Sequence, residues 1–169
     1  MKVYLGIAAK HLNDVLENGI RPRGRKKSCW SKFPSRTDMV YLNKTYPFYY
    51  ALQADDKEVV VFEIDLNKLN QELLFPDEDF IAQAVKQKHE TLGDIHIGIR
   101  DRIEDYQQYW KISLDELGNC SYKGTIEPSH IKRYCIAQLS KRPLLSMELL
   151  RVSRSLTHNR HRGTRHVFG

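Results

Sequence analysis

Residues 58–66 read Glu-Val-Val-Val-Phe-Glu-Ile-Asp-Leu, and no other stretch restricts the fold as much. Three consecutive valines lose side-chain freedom in a helix but pack well on a pleated surface. With polar residues on both sides, the run predicts the clearest strand in the chain. It is also the most apolar run, and Glu63 and Asp65 break it far short of the roughly 20 residues that a bilayer-crossing helix needs. Two Trp, nine Tyr and six Phe in 169 residues supply enough bulk for one folded core, which excludes a disordered chain. The start, Met1-Lys2-Val3-Tyr4-Leu5-Gly6, has neither the apolar stretch nor the cleavage site of a secretory signal. Cys29, Cys120 and Cys135 form no C-x-x-C pair, and no His or second Cys lies at zinc-ligand spacing. The expectation is a cytoplasmic protein with buried or inert thiols, no disulfide framework and no metal.

Around that strand the pattern alternates. Residues 2–7 read as a short buried strand, and Leu12, Val15 and Leu16 mark a helical face that stops at Asn18-Gly19. Residues 39–42 read as a strand, and 46–54 as a short helix with Pro47 in its first turn. Pro76-Asp77-Glu78-Asp79 before Phe80, Ile81, Ala84 and Val85 predicts a helix with an acidic first turn. Residues 88–100 stay ambiguous. Ile103, Tyr106, Trp110, Leu114 and Leu117 predict an amphipathic helix over 101–117 that ends at Gly118. Residues 120–126 and 131–138 read as strands joined by a turn at Glu127-Pro128-Ser129, and 144–152 as a closing helix. This order predicts an α+β domain over 1–150 with a mixed or antiparallel sheet and flanking helices, followed by a basic tail over 151–169.

Charge is unevenly spread. Residues 21–36 carry seven Lys and Arg and no acid, and 151–169 carry five Arg and no acid. Together they exceed the chain's net +6, so the remainder is net acidic. Pro22, Gly24 and Pro34 make the first segment a loop, and 155–165 lacks helical periodicity. Arginine forks and lysine ammoniums on such segments neutralise phosphates, which points to a nucleic acid or dinucleotide partner. Arg25, Lys26, Lys27, Arg160, Arg162 and Arg165 are the candidates for holding nucleic acid. The competing reading is a solvated surface.

The chain has no G-x-x-x-x-G-K-[ST], no G-x-G-x-x-G after a strand, no G-x-S-x-G and no H-E-x-x-H. A P-loop hydrolase, a dehydrogenase-type fold, an elbow-type hydrolase and a zincin therefore have no support. Asp77, Glu78 and Asp79 stand together. Helix capping is the first explanation for them, but adjacent acids raise one another's proton affinity, which suits a general base.

Four segments resemble one family. Tyr4-Leu5-Gly6-Ile7-Ala8, then Asn18-Gly19-Ile20-Arg21-Pro22, are similar to the opening of ADP-ribosyltransferase domains. Val40-Tyr41-Leu42-Asn43 with Tyr46 and Tyr49-Tyr50-Ala51 resembles their second strand and helix. Trp110 to Gly118, then Tyr122-Lys123-Gly124-Thr125-Ile126-Glu127-Pro128-Ser129-His130-Ile131, resembles the late helix and hairpin of bacterial members. The resemblance covers most of 2–138 and implies an ADP-ribosyltransferase-like split sheet. It also implies NAD as the substrate whose glycosidic bond breaks through an oxocarbenium-like state. Tyr4, Gly6, Arg21, Arg23, Tyr41 and Tyr50 are then the candidates for binding NAD, with Gly6 admitting close backbone approach and the arginines clamping the diphosphate.

Leu5 stands where the family has a polar residue, and the position of its catalytic Glu falls near Asn119 or Ser121. The candidate catalytic residues are therefore Glu78, Asn119 and Tyr41, with Glu127 behind them. The resemblance implies a transferase modifying nucleic acid, RNA before DNA, of the kind found as toxins of toxin–antitoxin or anti-phage systems, with an antitoxin protein as partner. The alternatives are an RNA 2′-phosphotransferase, for which only His11 and His130 lie near the relevant segments, a catalytically silent nucleic-acid-binding module, and a protein-modifying transferase.

Overall fold

The computed structural model describes residues 1–24, 35–48, 51, 57–81, 99–138 and 164–167, with 99–101 and 164–167 described by backbone alone. In chain order the elements are β1 (Lys2–Ala8), α1 (Leu12–Asn18), β2 (Met39–Asn43), β3 (Glu58–Asp65), β4 (Leu74–Pro76), α2 (Trp110–Glu116), β5 (Asn119–Lys123), β6 (Ile131–Gln138) and β7 (Thr164–Val167). The chain is α+β, as its pattern predicts, and it divides into two compact units. The first comprises Met1–Arg21, Tyr46–Leu69 and Ile126–Gly169; the second comprises Pro22–Thr45 and Asn70–Thr125.

In the first unit β3 pairs antiparallel with β1 on one side and with β6 on the other, and β7 lies parallel to β6. Val59, Val60, Val61, Phe62, Glu63 and Ile64 are all buried. The valine run is thus covered on both faces, which explains why it does not alternate apolar with polar. Helix α1 ends at Gly19, whose φ of 80° lies in the left-handed region and whose N–H caps the Val15 carbonyl at 2.9 Å. A side chain there would also strike the Ile126 carbonyl oxygen, which accepts the Ile20 N–H at 2.8 Å. Glycine is therefore required for conformation and for space alike.

In the second unit β5 pairs antiparallel with both β2 and β4. Met39, Phe75, Phe80, Ile81 and Ile103 form its buried cluster, with Tyr41, Tyr106, Tyr109, Ile112 and Leu117 packed against it. The expected helix over 101–117 is not one α-helix. Residues Ile99–Tyr109 wind as 3₁₀, broken at Arg102, and only Trp110–Glu116 is α-helical. The cluster supplies the reason. Ile103, Tyr106, Tyr109 and Ile112 step by three, the period of a 3₁₀ helix, so tight winding keeps all four on the side that packs.

Two further expectations change, and a third is described only in part. Residues 120–126 and 131–138 do not pair with each other: β5 takes β2 and β4, β6 takes β3 and β7, and Ile126 leaves β5 to bridge Ile20. Of residues 46–54, Pro47 and Phe48 form a turn, Ala51 is helical, and 49–50 and 52–54 lie outside the described residues. Within the basic C-terminal segment, expected to be irregular, residues 164–167 form β7 on the edge of β6. Residues 82–98 and 144–152 lie outside the described residues. Among the described residues no helix is long and apolar enough to cross a membrane.

Gly6 yields a direct test. An added Cβ would lie 2.6 Å from the Ala51 Cβ and 2.7 Å from its backbone nitrogen. Because the clash is partly with backbone, a Gly6→Ala variant should lose about 1–3 kcal/mol of stability, read as a lower urea midpoint. An unchanged midpoint would show that Ala51 does not press on β1.

Candidate active site

The three acids after β4 have separate tasks. Asp77 starts a helical turn over 78–81: its Oδ1 accepts the Asp79 N–H at 2.8 Å and its carbonyl accepts the Phe80 N–H at 3.1 Å. This is the capping role that its position suggests. Glu78 is also buried, but its Oε1 accepts a hydrogen bond from the Tyr41 hydroxyl at 2.5 Å. Two candidate catalytic residues 37 positions apart thus meet directly. Tyr41 reaches this point from β2, paired across the ladder with Ser121 of β5.

The Tyr41 oxygen is held from its other side as well. The backbone N–H of Arg36 donates to it at 2.9 Å. Burial pushes the Tyr41 phenol well above its usual range, and the Glu78 carboxylate adds to the effect. The phenol therefore keeps its proton and remains the donor toward Glu78. A hydrogen bond to a charged partner contributes roughly 1.5–3 kcal/mol.

Arg36 joins this pair to a chain of charges. Its Nε and Nη2 donate to the two Asp38 oxygens at 3.1 and 3.0 Å, and Nη2 reaches Glu104 Oε1 at 3.4 Å. Lys123 on β5 donates to the same Glu104 oxygen at 2.9 Å and lies 5.9 Å from the Phe75 ring centroid. The hydrogen bond from Arg36 holds the Asp38 carboxyl below its usual range, and that from Lys123 does the same for Glu104. The Arg36 guanidinium is shifted upward, first by its bond to Asp38. Two cations of opposite ends of the unit's sequence thus fix two carboxylates beside the Tyr41–Glu78 pair.

Asn119 is tied to the acidic turn through Ser113, a fully buried residue of α2. The Ser113 hydroxyl donates to the Asn119 carbonyl at 2.8 Å and accepts the Asp77 N–H at 3.0 Å. Its donor and acceptor capacity spans the start of β5 and the end of β4. Asn119 faces Asn43 across the β2–β5 ladder. Ser121, the other position aligned with a catalytic Glu, is fully buried and donates to the Pro76 carbonyl at 3.1 Å. That bond fastens β5 to β4. Glu127 is an exposed residue of the first unit, at the turn before β6.

The remaining candidates are dispersed. Tyr4 and Gly6 lie on β1 of the first unit, Gly6 against Ala51 and Tyr4 across from Glu63. Burial raises the Tyr4 phenol, with Glu63 reinforcing the shift. Arg21, also in the first unit, sets one guanidinium nitrogen on both oxygens of Asp14, at 2.6 and 2.7 Å. Arg23 folds back on its own loop in the second unit, onto the Ser35 carbonyl at 2.5 Å and its hydroxyl at 3.2 Å. Tyr50, Arg25, Lys26, Lys27, Arg160 and Arg162 lie outside the described residues, and of Arg165 only the backbone is described, in β7.

Arg36, Asp38, Glu104, Lys123 and Ser113 are absent from the sequence-derived site. Arg36 was visible only as one charge among seven. Ser113 carries a fainter signal, a hydroxyl three residues after Trp110 and four before Leu117, where an apolar residue fits the helical face. Cys120 and Cys135 are buried, and burial pushes their thiols up to about 12 and about 11. Both are buried, as expected, and Cys29 lies outside the described residues.

The charge chain has a pH signature. Asp38 and Glu104 are lowered in the fold, so their contribution is complete above the unfolded carboxyl range, near pH 4, and is lost as pH falls through the lowered folded values. Asp38→Asn should therefore be less stable than the parent at pH 7, with the gap closing as pH falls below about 4. Urea melts across that range check it, and a constant gap would refute the assignment. In comparisons with models of known protein families and with curated proteins, nothing matches this chain.

Proposed function

We propose that the chain is an NAD-dependent ADP-ribosyltransferase that modifies nucleic acid, RNA before DNA, on an ADP-ribosyltransferase-like split sheet. The observation that carries this reading is the Tyr41–Glu78 hydrogen bond. It joins a tyrosine of the family-like second strand to the carboxylate proposed to replace the missing glutamate of β5. Breaking the bond between nicotinamide and ribose leaves positive charge on the sugar, and a buried carboxylate balances that charge far better than it would in water.

In this reading Tyr41 takes one Glu78 oxygen, and the other accepts from a ribose hydroxyl. Nicotinamide departs with the bonding electrons, a nucleophile of the acceptor bonds to the anomeric carbon, and the acceptor's proton leaves. Asn119 supports the site from the start of β5. The basic segments over 21–36 and 151–169 supply the phosphate contacts. The role of a toxin opposed by an antitoxin protein follows from the family resemblance alone.

Incubation with labelled NAD and separate pools of RNA, DNA and protein tests the proposal. We expect nicotinamide release and label on RNA above the other pools. Glu78→Gln should lower the rate by on the order of a hundredfold, and Tyr41→Phe by about tenfold, both with unchanged circular dichroism. Asn119→Ala should also lower it. Salt-sensitive RNA binding without nicotinamide release would identify a silent binding module, and 2′-phosphate transfer from RNA to ADP-ribose would identify a phosphotransferase. Either outcome overturns the proposal.

A further inference from the structure

Glu63 is a buried carboxylate that the chemistry around Tyr41 does not use. It sits in β3 of the first unit, directly across from Tyr4 of β1 and Arg133 of β6, and it is 4% exposed. Arg133 satisfies one oxygen: its Nε donates to Oε2 at 2.8 Å, and its Nη2 lies 2.7 Å from the same atom. The other oxygen, Oε1, is buried and accepts no hydrogen bond from the described residues. The Lys2 ammonium lies 3.3 Å from it, close enough to supply charge but without a directed bond. An unmade bond at a buried acceptor is costly, so a correctly placed donor has much to gain there.

Glu63 borders a depression whose other walls include Tyr4, Pro47, Phe48, Val61 and Arg133. Its enclosed part admits a group about as large as one water. Two features select the ligand. Lys2 and Arg133 against Glu63 leave the locality net positive, which disfavours an ammonium or a metal ion. The aromatic and apolar walls favour a flat ring that sends one small polar group inward. We propose that this depression binds the exocyclic amino group of a nucleobase or similar heteroaromatic ring, with Glu63 Oε1 as acceptor in place of its contact with Lys2. The proposal requires no ADP-ribosyl transfer and stands or falls separately from that reading.

Cytidine and uridine monophosphate differ at ring position 4, where one carries an amino group and the other a carbonyl. Nitrogen-15 NMR titration of the full chain should show CMP binding about tenfold more tightly than UMP, with shifts at Tyr4, Glu63 and Arg133. Glu63→Gln makes a sharper test. Arg133 will hold the amide oxygen, which turns the amide N–H toward the depression, so the preference should reverse to UMP. A purely structural ion pair would not reverse a ligand preference. If Glu63→Gln fails to fold, Lys2→Met serves instead: it removes the competing ammonium from a half-exposed position and should tighten CMP binding while keeping the preference. Nicotinamide, an uncharged ring, presents the same kind of amino group on a carboxamide; tighter binding than CMP would keep the acceptor role and identify the source as a nicotinamide ring. Equal binding of CMP and UMP, no binding of either at millimolar concentration, or loss of the preference in Lys2→Met would overturn the proposal.

Discussion

A strand with six consecutive buried residues needs a hydrogen-bonding partner on each edge and cover on each face. β3 meets both demands: β1 and β6 take its edges, and every residue from Val59 to Ile64 is buried. Five of the six are apolar, so the strand is stabilised by removing hydrocarbon from water, roughly 1.5–3 kcal/mol for each large side chain. Much else in the first unit follows from that cover. Gly6 has no side chain because Ala51 comes within contact distance of β1, and Gly19 turns the chain so that Ile20 can pair with Ile126.

The sixth buried residue, Glu63, shows what such a strand costs when it carries charge. A carboxylate removed from water is strongly destabilised unless charge and hydrogen bonds compensate it. Arg133 from one flank and Lys2 from the other provide the charge, but among the described residues only one oxygen receives hydrogen bonds. Glu78 solves the same problem differently. It lies at the start of a helical turn, where backbone N–H groups favour a negative charge, and it takes a proton donor from Tyr41. That donor is in turn fixed by the Arg36 N–H. One carboxylate is therefore paired mainly by cations and the other by a neutral phenol. The difference bears on chemistry, because a carboxylate already neutralised by two cations has little charge left to offer a developing cation on a substrate.

The fold was legible in the sequence wherever one local rule decided the outcome. The valine run, the Asn18-Gly19 stop and the end of α2 at Gly118 each rest on backbone sterics or on hydrophobic period, and each stands within a residue or two of its expected place. Reading failed where two periods competed. Trp110, Leu114 and Leu117 fit 3.6 residues per turn, while Ile103, Tyr106 and Tyr109 fit three, and tertiary packing selected the second pattern for the first part of the segment. Strand partners were not legible at all. Nothing in residues 119–138 announces that Ile126 leaves its neighbours to bridge Ile20, so two adjacent strands that look like a hairpin take different partners.

The candidate site was legible in its principal pair and opaque in its supports. Tyr41 and Glu78 stand out because a tyrosine in an apolar strand and a glutamate in an acidic helix start are conspicuous residue types. Arg36 and Ser113 act mainly through a backbone N–H and a hydroxyl that spans two main-chain groups. Neither function depends on features that composition or spacing exposes. This asymmetry also argues for Glu78 over the residues aligned with the family's missing glutamate. Ser121 spends its hydroxyl on the Pro76 carbonyl, and Asn119 contributes its main-chain carbonyl to Ser113. Both hold β4, β5 and α2 in place, and Ser121 adds no negative charge. The proposed transfer would need a carboxylate to balance positive charge on a sugar, and Glu78, buried and holding a side-chain donor from another strand, meets that need.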